Sequence, residues 1–200
     1  MRGAVTTLWL TIGAGLVCVV ISLTFGIARA SPRRAIAWSA NIYVEFFRGT
    51  SVLVQMFWIF FALPLFGIFI EPLAAGILAL GLNTGAYGAE IVRGAVQAVP
   101  RDQIEAAVAL NYSRWQRLRH VVLPQALIIM LPPMGNLGID CVKISATVSL
   151  ITIADLAFEA NLFRASTGQN VTPFLAILVV YYVYSTVIAR GVLGLERRLA

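Results

Sequence analysis

Five stretches of this chain are apolar on every side and about as long as a bilayer is thick, and nothing else in the sequence restricts its fold so strongly. They fall near 5–28, 51–70, 73–92, 122–150 and 172–195. A membrane helix needs about 20 mostly apolar residues to cross the hydrocarbon core. A soluble helical protein would instead show apolar stripes backed by charged faces. Charged residues make up only 12% of this chain, against about 25% in soluble domains, and they gather between the apolar runs. The first run is too long for a signal-peptide core and lacks a charge-rich start or a clear cleavage site, so it is kept as a span. The expected fold class is an all-α membrane protein, one transmembrane domain over 1–200 with five spans.

Charge placement orients these spans. Arg29, Arg33, Arg34 and Arg48 lie between the first and second, and Arg93, Arg101, Arg114, Arg117 and Arg119 between the third and fourth. With Arg190, Arg197 and Arg198 at the end, twelve of the fifteen basic residues fall on one side if there are five spans. Basic residues collect on the cytoplasmic side, so the N-terminus is expected outside and the C-terminus inside. The net charge of +6 therefore reads as topology and not as a nucleic-acid surface. Trp38, Tyr43 and Phe46, between the first two spans, suit a helix lying at the headgroup level.

Two spans carry more than lipid requires. The third has Gly81, Gly85, Gly88 and Ala89 on one helical face, which allows a close-packed neighbour. Asn83, Thr84 and Tyr87 lie in the same span, and polar groups at that depth are expected to face a partner helix or a cavity. The fourth contains Pro124, Pro132, Pro133, Gly135 and Gly138. Each proline removes a backbone donor, so an interrupted helix is expected, of the kind that lines transport paths; a kink used only for packing is the alternative. Glu90 with Arg93, and Asp140 with Lys143, are spaced i, i+3 and read as structural ion pairs.

Much chemistry is missing. No GxxxxGK[ST] occurs, and the single lysine, Lys143, is followed by Ile144, so the chain has no phosphate-binding loop of its own. One histidine, His120, rules out HExxH, and no GxSxG elbow is present. His120 is expected at the surface. Cys18 and Cys141 are isolated within apolar runs and read as small core residues, so no metal site is expected. An intramembrane enzyme would have to use Asp140, Asp155 or Glu159, and no nucleophile and base stand at a telling spacing.

Between the third and fourth spans the apolar pattern gives way to "PRDQIEAAVALNYSRWQRLRH", residues 100–120. Asp102 falls near a helix start, where an acid complements the helix dipole. Ile104, Ala107, Val108 and Leu110 form a short apolar stripe beside Glu105. Asn111 can take a left-handed turn, and Ser113 suits the N-cap of a second helix carrying Trp115, Leu118 and Val122. Two short cytoplasmic helices joined by a turn are expected over 100–121. A membrane-surface linker is the alternative, although an anchor alone has no need of the turn.

Glu-Ala-Ala, a turn residue four positions on and a later Leu-Pro together resemble the EAA loop of importer-type ABC-transporter permeases. "YVEFFRGTSVLVQMFWIFFALP", "GAYGAEIVRGAVQAVPRDQIEAA", "VLPQALIIMLPPMGN" and "VKISATVSLITIADL" extend the resemblance to polar-amino-acid permeases along nearly the whole chain. Two departures stand out. The loop's usual glycine is Asn111, and after Lys143 the chain reads Ile144-Ser145-Ala146-Thr147 where such permeases more often have an acid or Asn followed by Thr-Ser. Asp155 stands where the family commonly has a glutamate.

The resemblance implies the type I ABC importer permease fold, with the loop as coupling helix seated in a groove of the ATPase subunit. The contacts to that subunit would be Gln103, Glu105, Ala106, Ala107, Leu110, Asn111 and Arg114. The chain itself would bind no cofactor; ATP and magnesium would belong to a cytoplasmic ATPase dimer. A second permease, identical or paralogous, and an external solute-binding protein would complete the assembly in a bacterial inner membrane. The substrate would be a polar amino acid or related zwitterion, with an opine or ectoine also open. Asn83, Thr84, Tyr87, Ser145, Thr147, Asp155 and Glu159 are the candidate contacts, the carboxylates for an ammonium group and the amide and hydroxyls for a carboxylate. A stand-alone secondary transporter or channel and a non-transporting scaffold remain alternatives; both leave the loop without a partner or without a solute path.

Overall fold

A computed structural model describes residues 2–199, and among them it shows nine α-helices and no strand. Helix α1 spans Arg2–Arg29, α2 Arg34–Gly49 and α3 Val52–Phe57. Helix α3 continues through a π turn at Trp58–Ala62 and a 3-10 turn at Leu63–Phe66. Helix α4 is Pro72–Ala98, α5 Arg101–Ala109 and α6 Arg114–Arg117. A π turn at Leu118–Val122 leads into α7, Leu123–Ile144, which ends in a 3-10 stretch at Ser145–Ile151. Helices α8, Leu156–Thr167, and α9, Val171–Leu199, complete the order.

The centre of the molecule is α4, clasped by α1, α2, α3 and α7, with α1 its most extensive partner. Small residues make this possible. A Cβ at Gly81 would stand 2.6 Å from the side chain of Val17, and one at Gly85 2.6 Å from Ile21, so the two backbones approach as only glycine permits. Contacts advance together along both helices, Leu10 with Gly76 and Val92 with Gly26, so α1 and α4 run parallel. Their ends therefore bring Arg29 and the 100–121 loop to the same end of the molecule. Helix α7 packs back along α4, and α9 packs on α7 through Gly135 and Val192.

Three helical stretches among the described residues are long and apolar enough to cross a membrane: Gly3–Arg29, Arg114–Ile151 and Val171–Arg198. The pair α2 and α3, bent by 100°, would make a fourth. Helix α4, expected as the third span, is long enough but falls outside this set. Its polar residues explain the difference: Asn83, Thr84, Gly85 and Gly88 are buried against other helices, so protein and not lipid surrounds them.

The fourth expected span also differs in detail. Helix α7 passes unbroken through Pro132, Pro133, Gly135 and Gly138. Its irregularities lie at the two ends instead. The π turn places Pro124 within the first two positions of α7, where a missing N–H costs nothing. At the far end the 3-10 stretch stops at Thr152, whose φ is +67°.

The buried apolar side chains form two clusters. One gathers Leu10, Met56, Leu80, Val148 and Ile151, and the other Val92, Val99, Val122, Ala126 and Met130 beneath the loop. Cys18 and Cys141 are free and buried, as their surroundings suggested.

Candidate functional site

The loop folds as two capped helices. Helix α5 ends with Asn111 at φ +59°, the left-handed conformation foreseen from its position. The amide of Asn111 donates to the Val108 carbonyl at 2.9 Å and that of Tyr112 to the Ala107 carbonyl at 3.0 Å. This double closure satisfies the orphan carbonyls of the last turn and reverses the chain. Ser113 then caps α6: its Oγ accepts from the Gln116 amide at 3.3 Å, while the Gln116 side chain accepts from the Ser113 amide at 2.8 Å. His120 is exposed, its Nδ1 3.1 Å from the Gln116 carbonyl and its ring edge-on to Tyr112.

Burial divides the apolar stripe of α5 in two. Ala107 is 3% exposed and Ile104 packs on the cluster beneath, so these two fasten the helix to the body. Gln103, Glu105, Ala106, Leu110, Asn111 and Arg114 stand exposed, with Leu110 69% open. Ala107, expected among the contacts to a partner, is therefore withdrawn from that surface: helical spacing aims it inward with Ile104. The remaining residues offer a mostly polar outer face, with Ala106 and Leu110 as its apolar members.

A charge cluster lies above the loop at the same end. Glu90 is bound by Arg29 and by Arg93, the latter also through Nε at 3.1 Å, and Arg48 stands 3.6 Å away. Arg29 further donates to Asn41 Oδ1 at 2.6 Å and faces Glu45 at 3.8 Å. One carboxylate thus ties the ends of α1, α2 and α4. The sequence spacing revealed the Arg93 partner, but Arg29 and Arg48 arrive from distant segments. Asp140 and Lys143 also meet, at 3.4 Å, and both are exposed on α7.

Of the seven candidate substrate residues, Asn83, Thr84, Ser145, Thr147 and Asp155 bond to the chain itself. Asn83 donates to the Phe47 carbonyl at 2.8 Å and to Gln55 Oε1 at 3.2 Å. Gln55 in turn donates to the Phe47 carbonyl at 2.9 Å and to Thr50 Oγ1 at 2.6 Å. Together they fix the bend between α2 and α3, because the carbonyls freed by the bend find side-chain donors there. Thr84 and Ser145 are buried and bond back to the Leu80 and Val142 carbonyls, at 2.6 and 2.7 Å. Thr147, half-buried, does the same with Ile144 at 2.8 Å.

Asp155 is fully buried and caps α8, its Oδ1 accepting from the Phe158 amide at 2.9 Å. Its Oδ2 has no hydrogen-bond partner. Burial pushes this carboxyl above its ordinary range, against the pull of the Phe158 and Ala157 amides. Four of the seven are thus enclosed in the chain's own packing: Asn83, Thr84, Ser145 and Asp155. The hydroxyls of Thr84 and Ser145 bond their own helix, which a sequence pattern cannot separate from lining a cavity, whereas Asn83 bonds across to the α2–α3 bend. Tyr87, 42% exposed, and Glu159 face outward. The Tyr87 ring carries the Arg48 guanidinium 5.3 Å from its centroid.

Gln55, Arg29 and Arg48 are the polar residues that pattern reasoning missed. Gln55 left a usable trace, since it is the one polar side chain in the apolar run 51–63 beyond Ser51 itself.

Helices built to span a membrane, a glycine-lined central pair and a capped knob fastened at the basic end define the membrane subunit of a type I ABC importer. The chain belongs to the family of binding-protein-dependent transport system inner membrane components, whose model matches residues 19–200. It is 46% identical over 187 residues to a probable amino-acid ABC transporter permease, y4tF, of Sinorhizobium fredii, covering 90% of this chain and 79% of that one. It is 35% identical over 205 aligned positions to the glutamine transport system permease GlnP of Escherichia coli, covering 100% of this chain and 92% of that one. A solved amino acid ABC transporter with histidines superposes with a TM-score of 0.90 at 36% identity, over 98% of this chain and 92% of that chain. The methionine transporter MetNI shares the fold, with a TM-score of 0.84 at 24% identity over 100% of this chain and 95% of that chain.

Proposed function

We propose that this permease carries a polar amino acid or related zwitterion inward, driven by a separate cytoplasmic ATPase dimer that docks on α5. The observation that carries this reading is the division of α5: Ile104 and Ala107 root it in the body while Glu105, Ala106 and Leu110 face out. A helix held on one side and bare on the other transmits a push. The names of the relatives, an amino-acid permease and a glutamine permease, support the substrate class. In this reading ATP and magnesium belong to the ATPase, an external binding protein delivers the solute, and a second permease completes the path. The domain crosses the bacterial inner membrane five times, N-terminus outside and C-terminus inside, with α4 as the protein-clad third crossing.

For the solute path we retain Tyr87, Thr147 and Glu159 from the candidates. The exposed pair Asp140 and Lys143 supports a path or partner beside α7, since charges at that depth avoid lipid. The test is Glu105→Arg in the assembled transporter, reconstituted in vesicles with its binding protein. ATP hydrolysis should persist while uptake falls to background and the chain remains inserted; normal uptake would refute the coupling role.

A further inference from the structure

At the inner end, the α1–α2 connection and the start of the α6 arm line an open pocket of about 640 Å³. Its wall is apolar where Ile27, Ile36, Val96 and Leu118 face it, from four different segments. Arg33, Arg114 and Arg117 also line it. None of the three forms an ion pair among the described residues, although the acids Asp102 and Glu105 stand on neighbouring α5. The Nε of Arg117 is buried and has no hydrogen-bond partner. A buried cationic donor without an acceptor is costly, so Arg117, with the exposed Arg33 and Arg114 on the same wall, offers a site to an anion.

We propose that this pocket binds the headgroup of an anionic phospholipid from the inner leaflet. Its arginines would hold the phosphate and Ile27, Ile36 and Val96 the upper part of the acyl chains. A free phosphate would satisfy the charges but leave the apolar wall wet; an amphiphile satisfies both. Position agrees, because basic pockets between helices on the cytoplasmic side suit anionic headgroups. The membrane placement comes from the importer reading, whereas the pocket and its unpaired arginines do not depend on it. The lipid would bridge α1, α2, α4 and the arm behind the coupling helix, in a place where its presence stiffens the loop.

The experiment is native mass spectrometry of the purified assembled transporter, titrated with phosphatidylglycerol or phosphatidylcholine. Phosphatidylglycerol should bind preferentially, and the double variant Arg33→Gln, Arg117→Gln should weaken it about 30-fold, about fivefold per arginine. Arg117→Lys should restore part of the affinity, and Arg197→Gln with Arg198→Gln should leave it unchanged. Equal binding of the two lipids, or unchanged binding in the double variant, overturns the proposal. So does displacement of the lipid by equimolar inorganic phosphate, which would identify a free-anion site. Loss of the ATPase from the double variant with lipid binding intact also overturns it, and marks the pocket as a protein contact. Uptake measured in the same preparations separates these failures from a failure of the importer reading.

Discussion

Replacing Asn111 with alanine should loosen the turn that ends α5, the proposed coupling helix. At φ +59° residue 111 occupies the left-handed region, which costs a residue with a Cβ roughly 1–2 kcal/mol and Asn less than most. Alanine keeps the Cβ and loses the amide that makes Asn tolerable. Two hydrogen bonds depend on this conformation, those donated by the residue 111 and 112 amides to the Val108 and Ala107 carbonyls. The excess of alanine's cost over Asn's smaller one, on the order of 1 kcal/mol, shifts the opening equilibrium of the turn about fivefold, since 1.4 kcal/mol is tenfold. Hydrogen exchange of the solubilised permease should show these two amides exchanging faster by that factor in Asn111→Ala. In Asn111→Gly they should exchange at the wild-type rate or more slowly, because glycine takes positive φ without a steric cost. Uptake per ATP hydrolysed should follow the same order. Wild-type protection of both amides in Asn111→Ala would refute the claim that the left-handed residue holds the turn.

Glu90→Gln removes the anion shared by Arg29 and Arg93 and should destabilise the inner end by about 2–3 kcal/mol, read as a lower thermal midpoint. Unchanged stability would mean that the arginines find other partners. Gly85→Ala places a methyl group where the Ile21 side chain already stands at 2.6 Å; it should cost about 1–3 kcal/mol, measurable by thermal unfolding in detergent. Asp155 is a carboxyl raised by burial, so its protonated form suits the folded state and its stabilising effect is lost as pH rises through the raised value. Stability of the wild type should therefore fall as pH rises above the ordinary carboxylate range, and level off once the raised value is passed. Asp155→Asn, which keeps an acceptor for the Phe158 amide, should flatten that slope, and an unaltered slope would exclude Asp155 as its source.

The sequence disclosed most of what depends on local chemistry and little of what depends on meeting distant residues. Asn111, Ser113 and Asp102 were legible because a cap or a left-handed turn is decided within about four residues. The small face of α4 was legible because its period is helical. The fate of Asn83 was not, because its partners are Phe47 and Gln55, on segments that α2 and α3 bring round a 100° bend. Thr84 and Ser145 show a second limit: a hydroxyl that bonds its own helix looks, in sequence, the same as one that lines a cavity. Hydropathy says little about how α4 is surrounded, for a related reason. It measures affinity for lipid, and a helix wrapped in protein is not selected for that.

These features combine into a path for force. Helix α5 continues from α4 through Val99 and Pro100, and Ile104 joins the apolar cluster that includes Val92, Val122 and Met130. A displacement of α5 therefore acts on α4 and α7 at once, through side chains already in contact. Glu90 extends the grip to α1 and α2, because Arg29 and Arg48 converge on it. Between this inner group and the outer cluster around Leu10, Leu80 and Val148, α1 and α4 meet at glycine notches, with Val17 and Ile21 against Gly81 and Gly85. In the proposed coupling role of α5, Glu90 would be the tie that keeps α1 and α2 in step with the loop. Glu90→Gln is then more than a stability variant: it should lower uptake per ATP hydrolysed even at temperatures where the fold is intact. If coupling stays intact in that variant, the apolar cluster beneath α5 carries the force alone.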